Sequence, residues 1–327
     1  MPATDWTWKI VMRLFLSVLL CTLVLIRCGG PRPAAKLSVF PRPATRATVM
    51  ETYEKMLRLW PGPFDTFFVR TRYGPTFVLE AGPDSAPPVV LLHGFLLNIP
   101  SWIPQAESLT RHFKVYAIDC IGDMGKSRLV DTRDYPRTGR DASVWLEEVF
   151  NELSLSRAHL VGASMGGWRA LQAGLHMPER IDRMACIVPV GINPVAALQW
   201  KILTTMAFVP ARKRGEKYLA LLGANDSLKR FYGNHIDAAV EQARPLVPRL
   251  SRLSRKELAR LTMPTLFLFG EKDPFAGNPE KARRRLEKHM PACEVAVYPT
   301  GHLLTIEERQ RVNRHLVAFL SSGDTNP

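Results

Sequence analysis

Short apolar runs rich in β-branched residues recur along the chain and alternate with longer amphipathic stretches. Runs of this kind, bounded by Gly, Pro and polar residues, predict strands at about 64–72, 76–80, 88–92, 114–119, 158–163, 181–188, 264–270 and 293–298. Helical periodicity predicts helices near 139–153, 165–177 and 305–321, with a further amphipathic segment from Val49 to Leu59. Alternation of buried strands with helices implies a mostly parallel sheet covered on both faces, with any antiparallel pair at its N-terminal edge. Between Gly191 and Arg260 the strand rhythm stops and helical, basic sequence takes over.

The strand ends carry the candidate chemistry. After the run at 158–163 the chain reads Gly162-Ala163-Ser164-Met165-Gly166 and continues directly into a predicted helix. A strand-to-helix turn this sharp leaves no room for a Cβ two residues either side of the serine, which is the reason for glycine at 162 and 166. Val89-Val90-Leu91-Leu92 runs into His93-Gly94-Phe95. A loop there can aim a backbone N–H at a developing oxyanion, so the amides of Phe95 and Met165 are the candidate oxyanion donors. His93 itself is read as a loop-shaping residue.

Thr265 to Gly270 delivers Glu271-Lys272-Asp273-Pro274 to a loop, and Val295 to Tyr298 leads to Pro299-Thr300-Gly301-His302. Asp273 is the candidate acid, with Glu271 its rival in the other register, and His302 the candidate base. The order Ser164, Asp273, His302 is that of the α/β-hydrolase fold and differs from the orders of the other familiar serine-hydrolase folds.

Taken together, the elbow, the His-Gly-Phe loop, the Asp strand and the Gly-His turn resemble an α/β-hydrolase of the esterase/lipase type over residues 62–322. The segment Ala117 to Ser127, with its Asp, Gly-Asp and Lys-Ser, is similar to the bacterial carboxylesterase NP branch. This resemblance implies hydrolysis of carboxylic esters through an acyl-enzyme, with no cofactor and no metal. It also implies that 191–260 is a lid, beneath which Trp200, Ile202, Leu203, Met206, Phe208, Leu219, Leu221, Leu222 and Phe231 either line an acyl pocket or pack the lid onto the core. Haloalkane dehalogenases and epoxide hydrolases place an aspartate at the elbow, so Ser164 argues against both. Carbon-carbon bond hydrolases, thioesterases, acyltransferases and perhydrolases keep the serine and stay open, as does a non-catalytic, membrane-tethered ligand-binding protein.

Gly125-Lys126-Ser127 ends like a phosphate-binding P-loop, but position 120, where its first glycine belongs, is Cys120. The loop is therefore read as a connection, with Asp119 and Asp123 structural.

At 327 residues and 46% hydrophobic, the chain can bury one large core. Its charge is +14, and the stretch 191–260, with thirteen Lys or Arg against five Asp or Glu, holds a surplus of eight. Such a balance raises nucleic acid, anionic membrane and acidic substrates as partners. Arg212-Lys213-Arg214 and Arg283-Arg284-Arg285 are short and lack interleaved aromatics, which disfavours nucleic acid. The expected partners are a small or lipid-like ester and an anionic membrane surface.

The membrane reading rests on Leu14 to Ile26, an uncharged apolar stretch preceded by Lys9 and Arg13. Its length suits a signal-peptide core and falls short of the roughly 20 residues of a spanning helix. No small-x-small cleavage site follows, so residues 1–28 are read first as an uncleaved signal-anchor and second as a cleaved leader. Arg27 occupies the position a lipoprotein signal needs small, which argues against lipidation of Cys28. Residues 29–61 read as a Pro-rich linker and the amphipathic helix. Cys120, Cys186 and Cys293 have no spacing that suggests a metal or redox site, and packed, reduced thiols are expected.

Overall fold

The computed structural model describes residues 39–322 except 41, 195–208, 225, 243–244, 276 and 291, and of 211–212, 227–228, 230–231 and 241–242 only the backbone. The apolar leader, Cys28 and the linker up to residue 38 lie outside the described residues, as do Trp200, Ile202, Leu203, Met206, Phe208 and the side chain of Phe231. No helix among the described residues is long and apolar enough to cross a membrane.

In chain order the elements are α1 (Pro43–Leu57), β1 (Phe64–Thr71), β2 (Gly74–Ala81), β3 (Pro88–Leu92), α2 (Ile103–Thr110), β4 (Lys114–Ile118), α3 (Gly139–Glu152), β5 (Ala158–Ala163), α4 (Met165–His176) and β6 (Ile181–Ile187). There follow α5 (Ala211–Leu221), α6 (Asp226–Gln242), α7 (Arg255–Ala259), β7 (Thr265–Gly270), α8 (Pro279–His289), β8 (Cys293–Tyr298), α9 (Leu304–Glu307) and α10 (Arg309–Ser321). The strands form an eight-stranded sheet in the order β1-β2-β4-β3-β5-β6-β7-β8. β1 pairs antiparallel with β2, and β2 antiparallel with β4, while the pairings from β4 through β3 to β8 are parallel. The expected antiparallel edge is thus the N-terminal hairpin.

Pleating sorts the central strands between two cores. Val90 and Leu92 of β3 face a layer built with Trp145 and Val149 of α3, Ala170 and Leu171 of α4 and Leu286 of α8. Their neighbours Val89 and Leu91 face the opposite layer, with Tyr53 of α1, Ala106 of α2 and Leu316 of α10. All four of these side chains are buried, which is why the segment Val89 to Leu92 reads as a continuous apolar run instead of an alternating one. α3 starts on a capping box: the Thr138 hydroxyl accepts from Asp141 N–H at 3.2 Å, and the Asp141 carboxylate from Thr138 N–H at 3.0 Å.

A single helix is expected over 305–321, but the structure breaks it at Glu308, where φ is −113° and ψ 33°. Gln105 Nε2 of α2 donates at 2.6 Å to the Thr305 carbonyl, the group that an unbroken helix would offer to Arg309 N–H. Bonding between neighbouring helices of one layer therefore competes with helix continuation at this point.

Candidate active site

Ser164 joins β5 to α4 with φ +53° and ψ −112°, a backbone conformation that costs a non-glycine residue about 1–3 kcal/mol. Surrounding bonds hold it there: Ser164 N–H donates to Ile187 O at 2.8 Å, and Ser164 O accepts from Trp168 N–H at 3.1 Å and Val190 N–H at 3.2 Å. The flanking glycines are sterically required. A Cβ on Gly162 would lie 2.3 Å from Gly166 O, and one on Gly166 would lie 2.0 Å from Leu92 O.

The turn after β8 brings His302 to this elbow. His302 Nε2 is 3.0 Å from Ser164 Oγ, and His302 Nδ1 is 2.8 Å from Asp273 Oδ2. Asp273 is 4% exposed, and its Oδ1 accepts from Phe275 N–H at 2.7 Å. Its loop is registered against the His302 turn by Glu271 N–H to Tyr298 O at 2.8 Å and Lys272 N–H to Thr300 O at 2.9 Å. The Phe275 ring meets the imidazole edge-on at 5.1 Å between centroids, and His302 N–H donates to Leu222 O at 3.3 Å. Glu271 is exposed, and the hydrogen bond to His302 comes from Asp273.

Met165 is the first residue of α4, so its N–H has no intrahelical acceptor and lies at the positive end of the helix dipole. The loop bearing Phe95 lies against the serine: a Cβ on Gly94 would sit 3.3 Å from Ser164 Cβ. His93 is fully buried and bridges this loop to the end of β4, with Nδ1 2.8 Å from Gly94 O and Nε2 accepting from Cys120 N–H at 2.9 Å. Burial lowers its pKa to about 3, so the ring is neutral and acts as a two-ended tie.

Asp119 and Asp123 brace the same loops. Asp119 accepts from Ile99 N–H at 2.9 Å, Lys126 N–H at 2.6 Å and Tyr53 OH at 3.0 Å. Burial raises its pKa to about 6 against those bonds. With Lys126 N–H occupied and a Cβ on Gly125 only 2.2 Å from the Asp119 side chain, the Gly-Lys-Ser segment is a packed connection and no phosphate cradle. Asp123 Oδ1 accepts from Leu96 N–H at 3.1 Å and Met124 N–H at 3.0 Å. Burial pushes its pKa up to about 7, opposed by the guanidinium of Arg169 on α4. The sequence reading missed Arg169, a buried cation that links the elbow helix electrostatically to the Asp123 loop. In sequence it appears as one of three polar residues, with Gln172 and His176, on a helix otherwise made of glycine and apolar residues.

A narrow apolar cavity of about 40 Å³ opens beside Ala163, lined in part by Leu97, Trp102, Leu219, Leu222, Ile236 and Leu303. Of the expected lid residues, Leu219 and Leu222 reach this cavity, while the neighbouring Leu221 is half-buried and does not line it. No cluster of His, Cys, Asp or Glu able to hold a metal occurs among the described residues. Cys120, Cys186 and Cys293 are free thiols, and burial raises the Cys120 pKa to about 12. A hydroxyl against an imidazole, a buried carboxylate on the far ring nitrogen and the amide at the start of α4 beside the hydroxyl together suit nucleophilic attack on a carbonyl.

Comparison with known proteins agrees with this geometry. The chain is 30% identical to the carboxylesterase YbfK of Bacillus subtilis (strain 168), over 84% of this chain and 93% of that protein. It superposes on the crystal structure of carboxylesterase CesB (YbfK) from Bacillus subtilis with a TM-score of 0.78 at 28% identity, covering 86% of this chain and 99% of the other. For naproxen esterase (carboxylesterase NP) from the same organism the TM-score is 0.77 at 29% identity, with 85% and 99% covered. The latter is the branch that the loop 117–127 resembles. The model of the Alpha/beta hydrolase family matches residues 89–315, most of the chain, and the protein belongs to that family.

Proposed function

We propose that this protein is a serine carboxylesterase in which Ser164 is the nucleophile, His302 the general base, Asp273 the residue that orients it, and the Phe95 and Met165 amides the oxyanion hole. The observation that carries the reading is the continuous hydrogen-bonded chain from Ser164 Oγ through His302 to Asp273 Oδ2. Two relatives named as carboxylesterases support the choice of ester over the other substrates this fold accepts.

His302 Nε2 takes the Ser164 proton as Oγ bonds to the ester carbonyl carbon, and the negative charge moves to the carbonyl oxygen facing the two amides. The imidazolium then returns its proton to the alkoxide as the C–O bond breaks, leaving an acyl-serine. Water repeats the sequence and releases the acid. Asp273 holds the Nδ1–H tautomer and stabilises the imidazolium. The narrow cavity beside Ala163 favours a short acyl group.

Ser164→Ala tests this directly. The variant should lose turnover of p-nitrophenyl acetate by several orders of magnitude and lose labelling by a fluorophosphonate probe; equal labelling of both proteins refutes the assignment. A bound-but-not-turned-over ester in the wild type would instead favour a ligand-binding protein.

We further propose that Leu14 to Ile26 anchors the enzyme at a membrane, where the basic lid stretch meets anionic headgroups. The apolar run, its flanking cations and the charge surplus of 191–260 support this reading. Fractionation of the full chain beside a form lacking residues 1–46 tests it: the full chain should pellet with membranes and the truncated form should not.

A further inference from the structure

Arg284 and Arg285 of the basic run at 283–285, unused by the ester chemistry, form one wall of a second site. The segment 252–254, α7 and the C-terminal half of α8 enclose a surface cavity of about 470 Å³. Six basic residues line it: Arg252, Arg255, Arg284, Arg285, Lys288 and His289; no carboxylate does.

Two guanidinium groups there are fixed in place. Arg285 Nη1 donates to Ile192 O at 3.0 Å, and its Nη2 donates to Leu253 O. Arg252 Nε donates to the same Ile192 carbonyl at 3.2 Å. One backbone oxygen therefore holds two like charges side by side. Burial and then the charges of Arg252 and Arg255 lower the Arg285 pKa, and desolvation and then Arg255, Lys288 and Arg285 lower that of His289.

Several cations elsewhere on the surface have acidic partners. Arg72 pairs with Glu148, Lys114 with Glu80 and Asp84, and Arg283, on the adjacent face of α8, with Glu280 at 3.5 Å. Arg252, Arg255, Arg284, Arg285 and Lys288 make no ion pair among the described residues. Of the acids nearby in sequence, Glu287 does not line the cavity, and Glu257 is committed to the α7 capping box, accepting from Ser254 N–H at 2.6 Å. Repulsion of this kind, concentrated in a concavity and left uncompensated by the protein, is relieved by a bound anion.

We propose that this cavity binds a polyanion carrying two or more phosphate groups, of diphosphate size, supplied either as a free phosphate compound or as the headgroup of an anionic lipid. Five permanent cations in one concavity exceed what a single monovalent anion neutralises, and the Arg fork matches phosphate oxygens bidentately. The lining holds no Phe, Tyr or Trp on which a base could stack, which disfavours single-stranded nucleic acid.

The experiment compares the full chain with Arg284→Ala/Lys288→Ala. These two side chains hold no backbone carbonyl, so the double variant keeps the Arg285 and Arg252 ties, and unchanged ester turnover verifies its fold. Calorimetric titration with pyrophosphate should show saturable binding that the double variant weakens about tenfold or more, with affinity falling steeply as salt rises. Sedimentation with phosphatidylcholine vesicles, with and without cardiolipin, tests the lipid source: a cardiolipin-dependent increment that the double variant loses assigns the site to a headgroup. Binding in neither arm overturns the proposal, as does binding that the double variant retains in full. Preferential binding of a single-stranded oligonucleotide, lost in the double variant, would also overturn it and make the cavity part of a nucleic-acid surface.

Discussion

Asp123 Oδ1 accepts the backbone N–H of Leu96 at 3.1 Å, and Leu96 stands at φ +62°, in the left-handed region that a leucine rarely adopts. The bond fixes the residue that follows Phe95, so the direction of the Phe95 amide depends on a carboxylate 27 positions away in another loop. Asp123→Ala removes the acceptor and should reduce kcat by about ten- to a hundredfold with little change in KM, since the loop serves the transition state more than the bound ester. Equal losses in kcat for Asp123→Ala and Asp123→Asn would show that the acceptor oxygen is irrelevant to turnover.

The same carboxyl predicts a pH signature in stability. Its folded pKa of about 7 lies above the unfolded value of about 3.9, so the native state binds more protons between these limits. The contribution is fully present below the unfolded pKa and is lost as pH rises through about 7, by an amount of order a few kcal/mol. Asp123→Asn carries no titrating proton there. Its unfolding free energy, measured in guanidinium at several pH values from 4 to 8, should therefore decline less with rising pH than that of the wild type. Parallel curves would contradict the raised pKa.

Asp273 and Glu271 compete in sequence, and their exposures separate them. Asp273 is buried against His302 Nδ1, whereas Glu271 is exposed. Asp273→Asn should lower kcat by about four orders of magnitude, as loss of the tautomer-setting carboxylate does in serine proteases. Glu271→Gln should stay within about threefold of wild type. A large loss in the second variant and a small one in the first would reverse the assignment.

The strands were legible because a segment buried on both faces has to be apolar throughout, as Val89 to Leu92 is. The loops that carry Ser164, Asp273 and His302 were legible for a related reason: each follows an apolar strand, β5 and β7 almost wholly buried and the edge strand β8 half-buried, at the end where the parallel sheet places its loops. α8 was not. Of Pro279 to His289 only Pro279, Ala282 and Leu286 are buried, too narrow a stripe to stand out against seven charged neighbours and a histidine in that segment. The Asp123 to Leu96 bond and the Arg169 charge were illegible because they join loops and a helix that are brought together by the fold alone; no local pattern encodes the contact.

Glycines within one chain offer opposite outcomes. Gly162→Ala or Gly166→Ala would place a Cβ within 2.3 Å of backbone oxygen, so each should abolish activity and lower stability by several kcal/mol. Gly233 lies in α6 with nothing within 4 Å of its would-be Cβ. Gly233→Ala should instead stabilise by about 0.5–1 kcal/mol through helix propensity. Thermal melts of the variants, with circular dichroism to confirm folding, provide the comparison, and a destabilised Gly233→Ala would show that α6 is not helical at that position.

Leu219 on α5 closes the cavity of about 40 Å³ beside Ala163 and is 3% exposed. If acyl length is set by the end of this cavity, removing three carbons from the wall should admit a longer chain. One methylene in an apolar pocket changes kcat/KM by about tenfold or more. Leu219→Ala should accordingly raise the octanoate-to-acetate ratio of kcat/KM for p-nitrophenyl esters by about tenfold or more, while costing about 2–5 kcal/mol of stability. Acetate turnover should fall less than octanoate turnover rises, because Ser164, His302 and Asp273 do not touch the deleted atoms. A ratio unchanged from wild type, in a variant that remains folded, would place the acyl group outside this cavity.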